Sequence, residues 1–449
     1  MKTITAQEAM KLLEEAEKLP GAERRRLQQE RLRELVAYVR ERSPYFARHY
    51  RNIPEDFKLS DLPPTGKAEL ISQYEDWVTD REVRYGDVLR YLEEGEHKSQ
   101  FLGRYTALET SGTTGVPMPM LRDSHRNVIH GAMVSRRLLG EEGVEMMDIR
   151  KHRRAAVVFA NPGASAYSGF LRVRKANPGY ENNIIAVSTT EPPETIIRKV
   201  NAFQPEVLSG YPSSLALLAV AKKEGRLDIP VKMIASSAEV LTEEIYALLR
   251  DAFGCRIVNN YCSTEGGEAA MASHCPHLHI NEDWVIIEPV DGDGNPVTEE
   301  GVWSEGIYVT DLANYIQPII RYYMSDRVRI HSADDGCGNP FPWMEIQGRA
   351  GGLFRFCGRQ FMIITLINIT DSRALEVQFI QRGEREMELR LIPVPGADRQ
   401  AVLEAVGSAF TQYLEREGCR DYRITLSQED PIKNKRGGKQ SVYLKLYDE

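Results

Sequence analysis

"VKMIASSAEVLTEEIYALLRDAFGCRIVNNYCSTEGG", residues 231–267, reads as strand, loop, helix, strand, loop. The same texture precedes it. "AAVVFA" (155–160) and "NNIIAVS" (182–188) are short apolar runs that suit buried strands. "EPPETIIRKVNAF" (191–203) and "SSLALLAVAKKEG" (213–225) are helical stretches set between the strands. Strands alternating with helices predict an α/β fold, a parallel sheet covered by helices. Sites in such sheets gather in the loops at the carboxyl ends of the strands.

Around this centre the texture differs. Residues 5–50 read as helix, with Leu12, Leu13, Leu27, Leu32, Leu35 and Val36 at helical spacing among Arg and Glu. "LPPTGKAEL" (62–70) is a Pro-rich turn leading into a helix start. From about 283 onward, "WVIIEPVDGDGNPVTEEGVWSEGIYVTDL" alternates apolar and polar residues around DG and GN turns, as β-hairpins do. "RAGGLFRFCGRQ" (349–360) reads as a linker, and the C-terminal remainder reads as a small α+β domain with a hairpin, an amphipathic helix and a final strand. The expected division is therefore a large domain over 1–348 and a small one over 349–449.

The 449 residues carry a net charge of −8, which argues against nucleic-acid binding through a basic surface. No run approaches the ~18 apolar residues of a membrane span. The charged, amphipathic start "MKTITAQEAMKLLEEAEKLP" lacks a secretory apolar core, so a cytoplasmic location is expected. Six cysteines in a chain this long are no disulfide framework; in a reducing compartment they are core residues, metal ligands or reactive thiols.

Four stretches bear chemistry. "TSGTTGVP" (110–117) threads hydroxyls between glycines, so that backbone N–H groups can cradle an anion, yet it lacks the lysine of a Walker loop. "NNYCSTEGGE" (259–268) offers a ring to stack on a base, a hydroxyl for a phosphate and a carboxylate for Mg²⁺; its plain alternative is a polar strand-to-helix loop. In "PIIRYYMSDRVRI" (318–330), Asp326 can accept both hydroxyls of a ribose, or can pair with Arg321 or Arg329. "NKRGGKQSV" (434–442) presents Lys439 from a Gly-Gly loop, or is an ordinary solvated basic loop.

The order and spacing of these stretches, with "SAE" at 237–239 and a G-R turn at 348, resemble the adenylate-forming superfamily of acyl-CoA synthetases. Within it, "FQPEVLSGYPSSLALLA" (203–219) and "ERLRELVAYVRERSPYFARHY" (30–50) resemble the phenylacetate-CoA ligase family over nearly the whole chain. The resemblance implies a large N-terminal adenylation domain with a β-rich subdomain and a small mobile C-terminal domain. It implies that Thr110, Ser111, Gly112, Thr113, Thr114 and Gly115 hold the phosphates of ATP. Ser237, Ala238 and Glu239 would border adenine, with Tyr261 stacked on it. Thr264 would sit at the α-phosphate, Glu265 at Mg²⁺, Asp326 on the ribose, with Arg349 assisting. Lys439 would reach in from the small domain during adenylation. The implied activity joins a carboxylic acid, aromatic or otherwise small, to CoA through an acyl-AMP. An acceptor other than CoA (a carrier protein, an amine, or a deazaflavin coenzyme that takes AMP) is the alternative, motivated by "GRAGG" where the family carries an acidic hinge residue. Cys262 in place of glycine, and Met324 and Ser325 before Asp326, are further departures. A homodimer is an option the sequence leaves open.

Some relatives hold a structural zinc through a Cys, the His of an L-H-I segment and a Cys-x-Cys pair. "HCPHLHINED" (274–283) and "DDGCGNP" (334–340) match at Cys275, His279 and Cys337, but Asp335 stands at the remaining cysteine position. A tetrahedral site needs four ligands, and Asp335, His274 or His277 could complete it; the alternative is a decayed site with ordinary buried cysteines.

Overall fold

The computed structural model describes residues 4–93, 100–109, 118–148, 154–159, 179, 181–189, 191, 193–332, 334–347, 353–369, 371, 373–393, 397–432 and 442–447. Its centre is a nine-stranded mixed sheet. Ile184–Ser188, Ala155–Phe159, Val207–Gly210, Met233–Ser237 and Arg256–Ser263 lie side by side and parallel. The sequence predicts four of these strands; Val207–Gly210, which contains Ser209 and Gly210, is not read as one from it. The sheet then continues antiparallel through Gly267–Ala272, Leu278–Ile280, Trp343–Ile346 and Val328–His331. Helices Pro193–Phe203, Pro212–Lys223 and Glu243–Phe253 cover the parallel half. Ala156, Val158, Leu208 and Ile234 pack there with Leu215, Leu218, Ala219 and Leu249, all fully buried. On the other face Ala155, Val207 and Met233 are buried with Leu139, so these strands are apolar on both sides, as parallel strands require.

The helix read over 5–50 is three helices: Ala6–Lys18, Gly21–Arg42 and Pro44–His49. Pro20 cannot continue the first, and Ser43 ends the second while capping the third by accepting from Phe46 N–H at 3.3 Å. Thr5 and Glu8 form a reciprocal capping box at the start of the first. Their apolar faces pack into the largest hydrophobic cluster, together with the antiparallel half of the sheet.

The hairpin texture beyond 283 forms a second, antiparallel sheet from Val285–Val290, Gly306–Asp311 and Tyr322–Met324. The linker read over 349–360 is corrected at its downstream end. Leu353–Phe356 pairs antiparallel with Arg359–Met362, because Phe354 and Phe356 alternate onto a buried face. Beyond it, Ala374–Gly383 and Glu386–Pro393 form the expected hairpin, flanked on either edge by Arg423–Leu426 and Tyr443–Lys445, both parallel to their neighbours. Helix Arg399–Arg416 closes this sheet, and Phe379 and Phe410 meet edge to face at 4.9 Å in a hydrophobic cluster of its own. Among the described residues no helix is long and apolar enough to cross a membrane.

Phe410→Ala is expected to cost about 3–5 kcal/mol, since the ring is fully buried and the site is walled by a sheet that cannot collapse onto it. Urea unfolding followed by far-ultraviolet dichroism measures it; a loss below about 1 kcal/mol would contradict the packing described.

Candidate functional site

The site grows from the carboxyl edge of the parallel strands. Met233–Ser237 and Arg256–Ser263 run in register with Ser237 opposite Asn260, so the bend that follows Ser237 lies beside Tyr261. Ala238 in that bend has φ +70°, a left-handed conformation uncommon outside glycine and one that marks a constrained turn. Tyr261 is half-buried against the main hydrophobic cluster.

The "CSTEGGE" segment is not a strand-to-helix loop. Arg256–Ser263 turns back through Thr264, Glu265 and Gly266 into Gly267–Ala272, with Ser263 opposite Gly267. The turn is fixed by Gly266 N–H donating to Ser263 Oγ at 2.7 Å and by Gly267 at φ +66°. Both glycines are sterically required. A Cβ at 266 would lie 2.7 Å from Val309 Cγ1, and one at 267 would lie 1.7 Å from Arg126 Nη2. Ser263 Oγ also contacts Met324 Sδ at 3.9 Å, which sets the turn against the strand that leads to Asp326. Asp326 is buried, while Arg321 pairs with Glu288 at 3.0 Å and Arg329 with Glu345 at 2.6 Å. The structure thus brings the 237–239 bend, the 261–265 turn and the approach to Asp326 to one end of the sheet. Thr110, Ser111, Gly112, Thr113, Thr114, Gly115, Arg349 and Lys439 lie outside the described residues; the strand Pro119–Arg122 that comes after the first of these segments pairs with Thr106–Glu109.

Beneath the turn lies an ionic cluster that sequence reasoning missed. Arg126, on helix Ser124–Met133, donates from Nε to Asp311 and from Nη2 to Glu268, each at 2.7 Å, and is fully buried. His130 Nδ1 meets the other Glu268 oxygen at 2.8 Å. Burial opposes charge on Glu268, but His130 and Arg126 hold its carboxyl well below the usual range. Burial pushes the Cys262 thiol up to about 12, which favours the neutral thiol there. The one sequence signal for this cluster was a glutamate inside the otherwise small and apolar strand "GEAAMA".

A second cluster lies across the antiparallel half. The ligand atoms of Cys275, His279, Asp335 and Cys337 all lie within 4.8 Å of one another. His279 Nε2 is 3.2 Å from Cys275 Sγ, 3.3 Å from Cys337 Sγ and 3.3 Å from Asp335 Oδ2. Zinc bonds of about 2.0–2.3 Å in a tetrahedron give ligand spacings of roughly 3.3–3.8 Å, close to the three spacings about His279 Nε2. His279 Nδ1 faces Phe341 O at 2.9 Å, which leaves Nε2 as the ligand atom. Of the three candidates for the fourth position, Asp335 is the one whose carboxylate lies among the other three donor atoms. His274 is exposed, and His277 stands behind Asp335 Oδ2 at 2.8 Å, stacked on Trp343 at 4.2 Å.

No protein-family model matches the chain. It is 28% identical over 329 residues to phenylacetate-coenzyme A ligase of Thermus thermophilus, covering 70% of this chain and 67% of that protein. It is 25% identical over 224 residues to Protein CapK of Staphylococcus aureus, 46% of each, so the chain spans about half of that relative. Among solved structures, 2-hydroxyisobutyryl-CoA ligase bound to 2-HIB-AMP and CoA superposes with a TM-score of 0.58 at 16% identity, over 96% of this chain and 91% of that one. The same ligase with R3-HIB-AMP in its postadenylation state superposes at 0.55. In sequence the chain is thus similar to a phenylacetate-coenzyme A ligase, and its fold is the one these acyl-CoA ligase structures share.

Purified protein is expected to carry about one zinc per chain, by elemental mass spectrometry, and Cys275→Ser to lose most of it. Zinc below about a tenth of an equivalent in the parent protein would remove the metal centre.

Proposed function

We propose that this protein activates a small carboxylic acid, aromatic being the first expectation, by attack on the α-phosphate of ATP, and passes the acyl group from acyl-AMP to CoA, releasing pyrophosphate and then AMP. The observation that carries the reading is the convergence of the 237–239 bend, the 261–265 turn and the approach to Asp326 at one end of the sheet. A carboxylate approaching a triphosphate is repelled by existing charge, so catalysis rests on positioning and electrostatic relief. Tyr261 stacks on adenine, bordered by Ser237, Ala238 and Glu239. Asp326 accepts from the ribose hydroxyls, with Arg349 beside it. Thr264 donates to the α-phosphate and Glu265 holds Mg²⁺, which when bound neutralises charge on the phosphates. Thr110, Ser111, Gly112, Thr113, Thr114 and Gly115 surround the phosphates, and Lys439 supplies the cation the loop lacks.

We place the boundary between a large adenylation domain and a small lid at 348/349, with Gly351 and Gly352 as the pivot of the turn between half-reactions. In the second cluster Cys275, His279, Asp335 and Cys337 would hold a structural zinc, with no part in the chemistry.

ATP–pyrophosphate exchange stimulated by one member of a panel of aryl and short hydroxy acids is the expected result. No exchange with any acid, from folded protein, counts against the reading. Turnover with CoA, with a carrier protein and without acceptor then separates thioester formation from the other acceptors. Lys439→Ala is expected to lower exchange about 10²- to 10³-fold, the scale of losing one preorganised charge at a developing anion. Unchanged exchange would mean that Lys439 is not the adenylation lysine.

A further inference from the structure

We propose that Arg126 is a positioning residue for adenylation, its guanidinium holding the Thr264–Glu265 turn in place against the chain that leaves residues 110–117. The proposal rests on the nucleotide-site reading above.

Three segments meet on this one side chain. Arg126 lies in the helix whose N-cap, Asp123, directly follows strand Pro119–Arg122. Asp123 Oδ1 accepts from Arg126 N–H at 2.8 Å, so the residue's backbone and side chain are both fixed. Glu268 belongs to the strand leaving the turn, and Asp311 ends the middle strand of the second sheet, which in turn carries Tyr322–Met324 toward Asp326. The partners stand 142 and 185 residues away in sequence, so this guanidinium couples parts of the chain that are otherwise separate.

The geometry is specific to arginine. Nε and Nη2 lie along one edge of the planar group, and each donates to a different carboxylate at 2.7 Å. A lysine would keep the charge but present a single nitrogen, which cannot span both. The backbone of the turn rests directly on the group: Gly267 is held at φ +66°, with the position of a Cβ filled by Nη2. Movement of the guanidinium therefore moves Gly267, and through it Thr264 and Glu265. Glu268 is further engaged by His130 at 2.8 Å and by Arg122 at 4.0 Å, so the carboxylate that anchors the turn is pinned from three sides. Two carboxylates facing one arginine would be a costly arrangement for stability alone, because each buried ion has lost its hydration. What the arrangement provides instead is placement of the turn.

The test compares the parent protein with Arg126→Lys and Glu268→Gln, using calorimetric binding of a non-hydrolysable Mg·ATP analogue, ATP–pyrophosphate exchange and thermal unfolding. Arg126→Lys is expected to weaken analogue binding and to lower exchange about 10- to 100-fold, the range for misplacing a catalytic group by about an ångström. In Arg126→Ala, added guanidinium ion is expected to restore part of the binding, while ammonium at equal concentration does not. If Arg126→Lys does not fold, Glu268→Gln, which keeps the shape and removes one anchor, is expected to show the same loss. Binding and exchange equal to the parent in the folded variants, with only a lowered unfolding temperature, would reduce Arg126 to a structural residue and overturn the proposal. If the parent binds the analogue but exchanges with no acid, the ligase reading fails on its own, and the binding comparison still decides the role of Arg126. A parent that does not bind the analogue overturns both.

Discussion

Strand Arg256–Ser263 hydrogen-bonds in two directions at once. Its neighbour on one side, Met233–Ser237, is parallel; its neighbour on the other, Gly267–Ala272, is antiparallel. A parallel neighbour must be reached by a long crossover, whereas an antiparallel one is reached by a tight turn. The change of direction therefore puts a short, rigid turn where an α/β sheet would otherwise place a loop leading into a helix. That turn stands at the carboxyl edge, beside the bend at 237–239, and almost every other feature of the site is arranged around it.

A rigid turn at the edge of a sheet needs support from below, and here the support is ionic. Apolar packing would be less costly, since buried charges lose hydration that their pairing only partly restores. Ion pairs, however, are directional, and hydrogen-bonded pairs fix distance as well as contact. They also impose a strict demand on a neighbour, visible at Gly267, whose side-chain space is taken by Arg126.

Much of this is legible in the sequence. Four of the five parallel strands are legible, Ala155–Phe159 and Ile184–Ser188 as short apolar runs and Met233–Ser237 and Arg256–Ser263 from the alternation over 231–267, whereas Val207–Gly210, with Ser209 and Gly210 among its four residues, is not. The hairpins beyond 283 announce themselves through alternation and turn residues. The breaks at Pro20 and Ser43–Pro44 are masked by apolar spacing that continues across them, because each of the three helices turns an apolar face to the same cluster. The hairpin at 263–267 is hidden because Gly-Gly serves equally well before a helix and inside a tight turn. Arg126 leaves no spacing to read, since its partners are set by the approach of distant segments. The fourth ligand at the metal cluster stays open among Asp335, His274 and His277 for the same reason: only the fold shows that His277 stands behind the carboxylate.

The cluster of Cys275, His279, Asp335 and Cys337 joins two segments about sixty residues apart, with Cys337 and His279 separated by 58. The segments flank the edge strands of the sheet, and Arg24 of the second helix binds between them, to Glu282 and to the carbonyl of Pro340. A metal ion at that point would act on the unfolded chain as much as on the folded one. It would close a loop of that length, and cross-links of this span remove conformational freedom equivalent to roughly 3–5 kcal/mol. A protein whose thiols stay reduced would gain there the tether that a disulfide gives a secreted domain, reversible by metal exchange instead of by redox chemistry.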